Sequence, residues 1–180
     1  MTQDPGSPIV VMGLMGSGKT SVARLLSAAL GRVLRDSDPD MHERYGMSAA
    51  EMLRELGAEV LHDREAEHLR EALALRPAPV IAAAASTIER PELREALQAA
   101  VVVVLDAPDE VLAERMLSSG HRPHFEKDLR AMLAKQRVRR GPLFAEVADL
   151  TFDVARHKPE EIAGRVLDSL GWTAIRPIGE

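Results

Sequence analysis

The stretch Gly13-Leu14-Met15-Gly16-Ser17-Gly18-Lys19-Thr20 decides the fold, because its glycines and its final Lys-Thr pair have the spacing of a phosphate-binding loop. Such a loop functions only between a strand and a helix. An apolar run, Ile9–Met12, stands before it, and residues 21–30 repeat apolar side chains with helical spacing. The sequence therefore predicts a loop that binds the phosphates of a nucleotide.

Each residue type in this loop has a physical role. Glycine lets the backbone turn so that successive N–H groups point at phosphate oxygens, and the helix N-terminus adds its positive dipole. We expect Lys19 to reach the β- and γ-phosphates and Thr20 to bind Mg²⁺. The prediction is that ATP or GTP binds here, and the loop residues assigned to nucleotide binding are Gly13, Met15, Gly16, Ser17, Gly18, Lys19 and Thr20.

Composition restricts the class of protein. With 180 residues, 46% of them hydrophobic and 28% charged, the chain has the makeup of one globular domain spanning 1–180. It has no cysteine, which excludes disulfides and thiolate metal sites. A net charge of −5 argues against a nucleic-acid surface, and no apolar run approaches the roughly 20 residues of a membrane span. We expect a cytoplasmic monomer with no membrane or nucleic-acid partner.

Apolar runs alternate with helical patterns along the whole chain. The runs lie at residues 9–12, 33–35, 80–83, 101–105 and 150–154. Helical spacing is found at residues 18–30, 48–56, 58–75, 91–98, 108–118, 127–139 and 159–170. This alternation predicts an α/β fold in which a parallel sheet is covered by helices.

Two aspartates follow the second apolar run, in Asp36-Ser37-Asp38. Ligands of open parallel sheets bind at the carboxyl ends of strands. Phosphoryl transfer needs one carboxylate near Mg²⁺ and another near the attacking hydroxyl. Because residues i and i+2 share a face in an extended segment, Asp36 and Asp38 are predicted to fill both roles. The alternative is an acidic turn, favoured by Pro39 and Asp40.

A polar segment at residues 117–124, bordered by Arg115 and containing Arg122, predicts a mobile lid over about 115–126. Its closure would exclude water and bring a guanidinium to the transferred phosphoryl group. The alternative is a solvated loop with an arginine at a helix end. His121 and His124 lie in this polar loop, where surface histidines are common, so we do not predict a zinc site.

Asp106 and the arginines at positions 137, 139 and 140 can each be interpreted as structural or as functional residues. Asp106 ends an apolar run, as a Mg²⁺-binding aspartate would, but it leads into a proline-containing helix start, so we interpret it as structural. Arg137, Arg139 and Arg140 fit a solvated helix face. The alternative is that one of them forms a bidentate pair with a substrate carboxylate.

Taken together, these segments resemble the shikimate kinase family over nearly the whole chain. The matching segments are residues 13–30, 36–38, 48–53, 122–123 and 140–144, and residues 156–159 stand where that family has its adenine-contacting loop. The resemblance implies a five-stranded parallel sheet of the nucleoside monophosphate kinase type, a P-loop NTPase with a mobile lid. It also implies ATP and Mg²⁺ as cosubstrates and a small-molecule acceptor.

The resemblance also implies roles for single residues. Lys19 and Thr20 would serve the nucleotide and the metal, and Asp36 would support Mg²⁺ through water. Asp38 would bind and activate the acceptor hydroxyl. The arginines carried over are Arg122 for the phosphates, Arg140 for the substrate carboxylate, and Arg115 and Arg156 on the nucleotide side.

The chain departs from the family at two positions on the acceptor side. His62 stands where the family has an arginine that grips the substrate carboxylate, whereas the glutamate of that motif is present as Glu65. Imidazole does not reproduce a planar, two-pronged guanidinium grip. Arg64, two positions on, points to a different side of the helix. Residues 84–86, Ala-Ala-Ser, replace three glycines, and their added side chains fill space.

The predicted substrate-binding residues are Asp38, His62, Ala84, Ala85 and Arg140. The predicted activity is ATP- and Mg²⁺-dependent transfer to a hydroxyl, as in the conversion of shikimate to shikimate 3-phosphate. Three alternatives remain open: another hydroxylated acceptor (a sugar acid, cyclitol or nucleoside), a nucleoside monophosphate acceptor, and nucleotide binding without transfer.

Overall fold

The computed structural model describes residues 4–118 and 128–179, and within these ranges five strands alternate with eight α-helices. The strands are β1 (Ile9–Met12), β2 (Leu34–Asp36), β3 (Val80–Ala82), β4 (Val101–Asp106) and β5 (Leu150–Asp153). The helices are α1 (Lys19–Leu30), α2 (Ser37–Tyr45), α3 (Ala49–Leu56), α4 (Ala58–Ala74), α5 (Pro91–Leu97), α6 (Asp109–Ser118), α7 (Leu129–Val147) and α8 (Pro159–Leu170). A short 3₁₀ helix, Ala85–Glu89, follows β3.

The sheet is parallel throughout, with the strand order β2-β3-β1-β4-β5. β1 is the central strand: Ile9 pairs with Val80 of β3 on one side and with Val101 of β4 on the other. All four residues of β1 are buried, as expected where helices cover both faces of a sheet. The predicted α/β fold with a five-stranded parallel sheet is confirmed.

Helix α2 was not predicted. Ser37-Asp38-Pro39-Asp40 has the composition of a turn, yet Asp36 ends β2 in extended conformation and the next residue already begins the helix. Proline is tolerated in a first turn because the N–H it lacks would have no intrahelical partner there. The two aspartates of that turn, Asp38 and Asp40, also oppose the positive end of the helix dipole.

Helix α7 is longer than predicted, because it continues past residue 139 to Val147 through Gly141 and Pro142. A proline inside a helix removes one backbone hydrogen bond. Pro142 is exposed, so water can satisfy the carbonyl that loses its partner. The extension places Arg140 in the interior of a helix rather than at its end.

A small apolar cluster separate from the main core holds α2, α3 and α4 together. Met41, Met52 and Leu61, one from each helix, are buried in it. Helix α3 begins with a capping box, in which the Ser48 side chain accepts from the Glu51 N–H and the Glu51 side chain accepts from the Ser48 N–H. These three helices form one wall beside the phosphate loop. No helix within the described ranges is long and apolar enough to cross a membrane.

Candidate active site

The phosphate loop connects β1 to α1 and packs tightly against β4 and α6. Gly13 has φ +144°, and a Cβ there would meet the Leu105 carbonyl oxygen and would lie 2.7 Å from Ser17 Oγ. Gly16 has φ +82°, and its Cβ would lie 2.7 Å from the Leu112 carbonyl oxygen. At both positions the backbone conformation and the space available require glycine.

Lys19 is half-buried at the first residue of α1, where its Nζ donates to the Leu14 carbonyl oxygen at 3.2 Å. Burial lowers the pKa of Lys19, and the carboxylates of Asp38, Asp36 and Glu65 oppose this effect. The ammonium group therefore stands among three acidic side chains that come from β2, α2 and α4. This position lies between the loop and the cavity described below.

Two buried polar atoms beside Lys19 have no hydrogen-bond partner among the residues that the structure describes. They are Ser17 Oγ in the loop and Asp36 Oδ2 at the end of β2. Burial raises the pKa of Asp36, while a hydrogen bond from the Thr20 side chain acts in the opposite direction. Buried polar atoms without partners are costly unless a ligand satisfies them. Backbone glycines, an ammonium group, a hydroxyl and a carboxylate together fit a nucleotide phosphate with Mg²⁺.

Asp36 and Asp38 come close to each other in a different way from the one predicted. They do not share a face of an extended segment, because helix α2 begins at Ser37 and Asp38 lies in its first turn. The helix turn brings the Asp38 backbone N–H to the Asp36 carboxyl group. Asp36 is buried at the sheet end, and Asp38 lines the cavity with Lys19.

A cavity of about 390 Å³ opens beside the phosphate loop, between α2, α3, α4, the end of β3 and α7. The structure brings all five predicted substrate-binding residues together in its wall: Asp38, His62, Ala84, Ala85 and Arg140. Met15 of the loop also lines it. The phosphate loop, residues 36–38 and residues 82–86 thus meet at the carboxyl end of the sheet.

The two departures from the family pattern face this cavity. Burial, and secondarily the charge of Arg140, lowers the pKa of His62, which disfavours the charged form of its imidazole. Arg64 does not replace the missing guanidinium, because it stacks 4.0 Å over the Tyr45 ring and lines a separate cavity of about 350 Å³.

The Ala-Ala-Ser segment is accommodated because the chain turns into a 3₁₀ helix. Ala84 has φ −63°, which does not require glycine. Ser86 donates a hydrogen bond to the buried Glu65 carboxyl group. Burial raises the pKa of Glu65 to about 7, against the effect of this hydrogen bond. Ser86 therefore donates a hydrogen bond to Glu65, which is the glutamate that this chain shares with the family's motif.

Arg140 is buried and already has partners inside the protein. Its Nε donates to Glu89 at 2.5 Å, and its Nη1 donates to Gln136 Oε1 at 3.1 Å. Sequence reasoning missed Glu89 and Gln136. The Gln136–Arg140 spacing of four residues was a usable signal once α7 was recognised as continuous, but nothing in the sequence joins residue 89 to residue 140.

Arg137 does not line this cavity, and it pairs with Asp106 instead. Its Nη1 donates to both Asp106 carboxylate oxygens, at 2.7 and 2.9 Å, and its Nε donates to Asp109 at 2.8 Å. Asp106 is thus held by an arginine of α7, which agrees with the structural role predicted for it. Among the residues that the structure describes, no cluster of three His, Cys, Asp or Glu side chains could hold a metal ion.

On the nucleotide side, Arg115 ties α6 to the segment after β5. Its Nη2 donates to the Val154 carbonyl oxygen at 2.6 Å. Arg156, in the same segment, is largely exposed and pairs with Asp153 at 3.1 Å. Arg122 and residues 119–127 of the predicted lid lie outside the described residues.

Fold and site together define a small-molecule kinase that carries a phosphate loop and uses a hydroxyl acceptor. The family model described as shikimate kinase matches residues 15–171. The chain belongs to the shikimate kinase family.

Individual shikimate kinases are similar to this chain over most of the length of both proteins. A shikimate kinase of Symbiobacterium thermophilum is 35% identical over 170 residues, which are 90% of this chain and 95% of the relative. One of Thermobifida fusca is 32% identical over 161 residues, 89% and 93% of the two chains. Among solved structures, shikimate kinase from Acinetobacter baumannii in complex with shikimate has a TM-score of 0.84 at 30% identity, covering 92% of this chain and 93% of that one.

Proposed function

We propose that this chain transfers the γ-phosphoryl group of MgATP to a hydroxyl of a small acceptor held in the 390 Å³ cavity. The acceptor that the names of its relatives indicate is shikimate. The observation that carries the proposal is the position of Lys19, which lies where the phosphate loop meets the cavity, among Asp36, Asp38 and Glu65. Such a position lets one cation serve the phosphates on one side and face the acceptor on the other.

The proposed roles follow from these positions. MgATP supplies the phosphoryl group. Lys19 and the loop N–H groups would stabilise its charge, and Thr20 with Asp36 would hold the metal. The nucleotide-side arginines would be Arg115, Arg122 and Arg156.

Asp38 would orient the acceptor. The acceptor oxygen bonds to the γ-phosphorus while the bond from that phosphorus to the bridging oxygen breaks, and the hydroxyl proton passes to Asp38.

The test is ADP release from MgATP with shikimate titrated to millimolar levels, with nucleotide binding measured in parallel by calorimetry. We expect saturable turnover in the wild type and none in Lys19→Ala. Lys135→Ala is the matched control, because Lys135 is exposed on α7, and it should behave as the wild type. Turnover retained in Lys19→Ala would refute the site assignment, and an absence of nucleotide binding would refute the function.

A second candidate is transfer to an acceptor other than shikimate. The observation that favours it is His62, which lines the cavity at the position where the family has a carboxylate-binding arginine. In the same assay, this candidate predicts nucleotide binding with no stimulation by shikimate.

A further inference from the structure

The Glu65 carboxyl group is buried in the cavity wall, and only one of its two oxygens is held by the protein. Glu65 is 8% exposed, and Ser86 Oγ donates a hydrogen bond to its Oε2 oxygen. Within residues 4–118 and 128–179 the structure gives this carboxyl group no second hydrogen-bond partner. Because Glu65 lines the cavity, its Oε1 oxygen is available to a ligand there. A buried carboxylate with few donors is costly, so the one donor that it has matters.

His62 lies one helical turn before Glu65 on α4, and both side chains line the cavity. Residues i and i+3 are neighbours on a helix surface, so an arginine at position 62 would give the Glu65 carboxylate a charged donor. The imidazole that stands there does not take this role. The charges that most affect the pKa of His62 are those of Arg140 and Glu89, and Glu65 is not among its hydrogen-bond partners in the part of the chain that the structure describes.

Ser86 supplies the missing donor from a different element. It lies in the 3₁₀ helix after β3, is 9% exposed, and belongs to a segment that packs against α4. A glycine, which the family has at this position, would have no hydroxyl to donate. The two departures from the family pattern therefore meet at Glu65, since position 62 has lost a donor and position 86 has gained one.

The hydrogen bond from Ser86 also acts on the charge of Glu65. Burial raises the pKa of Glu65 to about 7, and the hydroxyl opposes this shift because it stabilises the ionised form. The charged groups that face Glu65 from other elements are Asp38 of α2, Lys19 of α1 and Arg140 of α7. Asp38 favours the protonated form, and the two cations favour the ionised form. Without the hydroxyl, a larger fraction of Glu65 would be protonated at neutral pH.

We propose that Ser86 is a positioning residue for the acceptor, which replaces the arginine that this chain lacks at position 62 by holding Glu65 so that its free oxygen binds an acceptor hydroxyl. This inference rests on the proposed phosphoryl transfer. Asp38 would receive the proton of the hydroxyl that reacts, and Glu65 would accept a hydrogen bond from a different hydroxyl. Ser86 itself acts on the acceptor only through Glu65.

The test is a double-mutant cycle that combines Ser86→Ala with His62→Arg. ADP release is measured with MgATP and shikimate at pH 7. Ser86→Ala alone should lower kcat/KM for shikimate about tenfold, mainly through KM, with the Kd of MgATP unchanged. In the His62→Arg background the same change should cost less than about threefold, because the introduced guanidinium donates to Glu65 in place of the hydroxyl.

Two further readouts separate positioning from a merely structural effect. The loss caused by Ser86→Ala should shrink at pH 9, where Glu65 is ionised with or without the hydroxyl. A ¹³C NMR titration of the Glu65 carboxyl group needs no turnover: its pKa should rise above the wild-type value in Ser86→Ala and fall again in the double variant. Ser169→Ala is the matched control, because Ser169 is exposed on α8, and it should match the wild type throughout.

The outcomes distinguish this inference from the proposed function. Equal losses from Ser86→Ala in both backgrounds, or a Glu65 pKa that Ser86→Ala leaves unchanged, would overturn the inference and leave phosphoryl transfer standing. Weaker MgATP binding in Ser86→Ala, with a loss that is the same at pH 7 and pH 9, would show a merely structural role and would also overturn it. No stimulation by shikimate in any of the four proteins of the cycle, with MgATP still bound, would overturn shikimate as the acceptor and this inference with it.

Discussion

Asp38 lies in the first turn of α2, and its side chain lines the cavity together with Lys19. Asp38→Asn keeps the size of the side chain but removes its charge and its ability to accept a proton. We expect kcat to fall about 10²- to 10⁴-fold with little change in the Kd of MgATP. Acceptor-dependent ADP release and calorimetry measure the two quantities.

The control for this variant is Asp168→Asn, because Asp168 is exposed on α8. It should match the wild type in both assays. If Asp38→Asn weakened nucleotide binding and left kcat unchanged, Asp38 would belong to the nucleotide side of the site.

Glu65 makes stability depend on pH. Its pKa is raised from 4.5 to about 7 by burial, so folding favours the protonated form. The stability linked to this proton is fully present below pH 4.5 and is lost as the pH rises through about 7. Relative to Glu65→Gln, we expect the wild type to lose on the order of 2 kcal/mol of unfolding free energy between pH 5 and pH 8. Urea denaturation of both proteins at the two pH values measures this difference, and a constant difference would contradict it.

The two halves of the site were not equally predictable. The nucleotide half is centred on one continuous stretch, residues 13–20, whose glycines and Lys-Thr pair form a motif that predicts phosphate binding from the local sequence alone. The acceptor half depends on pairs that only the fold creates, such as Ser86 with Glu65 and Glu89 with Arg140. Residue types reveal that these side chains can be polar partners, but not which partner each one takes.

At the scale of elements, the β1–α1 loop depends on close contact with β4. In Gly13→Ala, the new Cβ would meet the Leu105 carbonyl oxygen in a backbone conformation with φ +144°. We expect the variant to lose more than about 3 kcal/mol of unfolding free energy and most of its nucleotide affinity.

Gly46→Ala is the matched control. Gly46 ends α2 with φ +67°, and a Cβ there has no atom within 4 Å. Gly46→Ala should lose only about 1 kcal/mol of unfolding free energy, because an alanine is disfavoured in this backbone conformation. Its nucleotide affinity should be unchanged. Equal losses in the two variants, measured by urea denaturation and calorimetry, would show that the close approach to β4 is unimportant.

The two errors in predicted helices both lie near a proline. Pro39 was interpreted as favouring an acidic turn, and the helix predicted over residues 127–139 stopped short of Pro142. Pro39 lies in a first turn, where the missing N–H costs little, and Pro142 lies on an exposed side, where water can satisfy the carbonyl that loses its partner. The position of a proline relative to helix ends and solvent is a property of the fold, which the local sequence does not record. The three central strands, β1, β3 and β4, were found because buried parallel strands are continuous apolar runs.

At the scale of the whole molecule, bound nucleotide should stabilise the fold. Ser17 Oγ and Asp36 Oδ2 are buried without partners, so a ligand that satisfies them binds the folded state alone. At 100 times its Kd, MgATP should add about 2.7 kcal/mol to the unfolding free energy.

Thermal unfolding with and without MgATP measures this effect. We expect a Tm increase of roughly 5–10 °C. The increase should shrink when EDTA removes Mg²⁺, and it should disappear in Lys19→Ala. An equal increase in Lys19→Ala would mean that the nucleotide binds at another site.

The order of the strands also bears on how the chain is made. β1 is the first strand to leave the ribosome, yet both of its neighbours, β3 and β4, begin only at Val80 and Val101. Until those segments are synthesised, the apolar residues Ile9–Met12 have no strand to pair with. The nascent chain therefore carries this deeply buried strand without either neighbour until Ala82 is made and with one open edge until Asp106 is made, which makes the segment a target for chaperones that bind exposed apolar sequence.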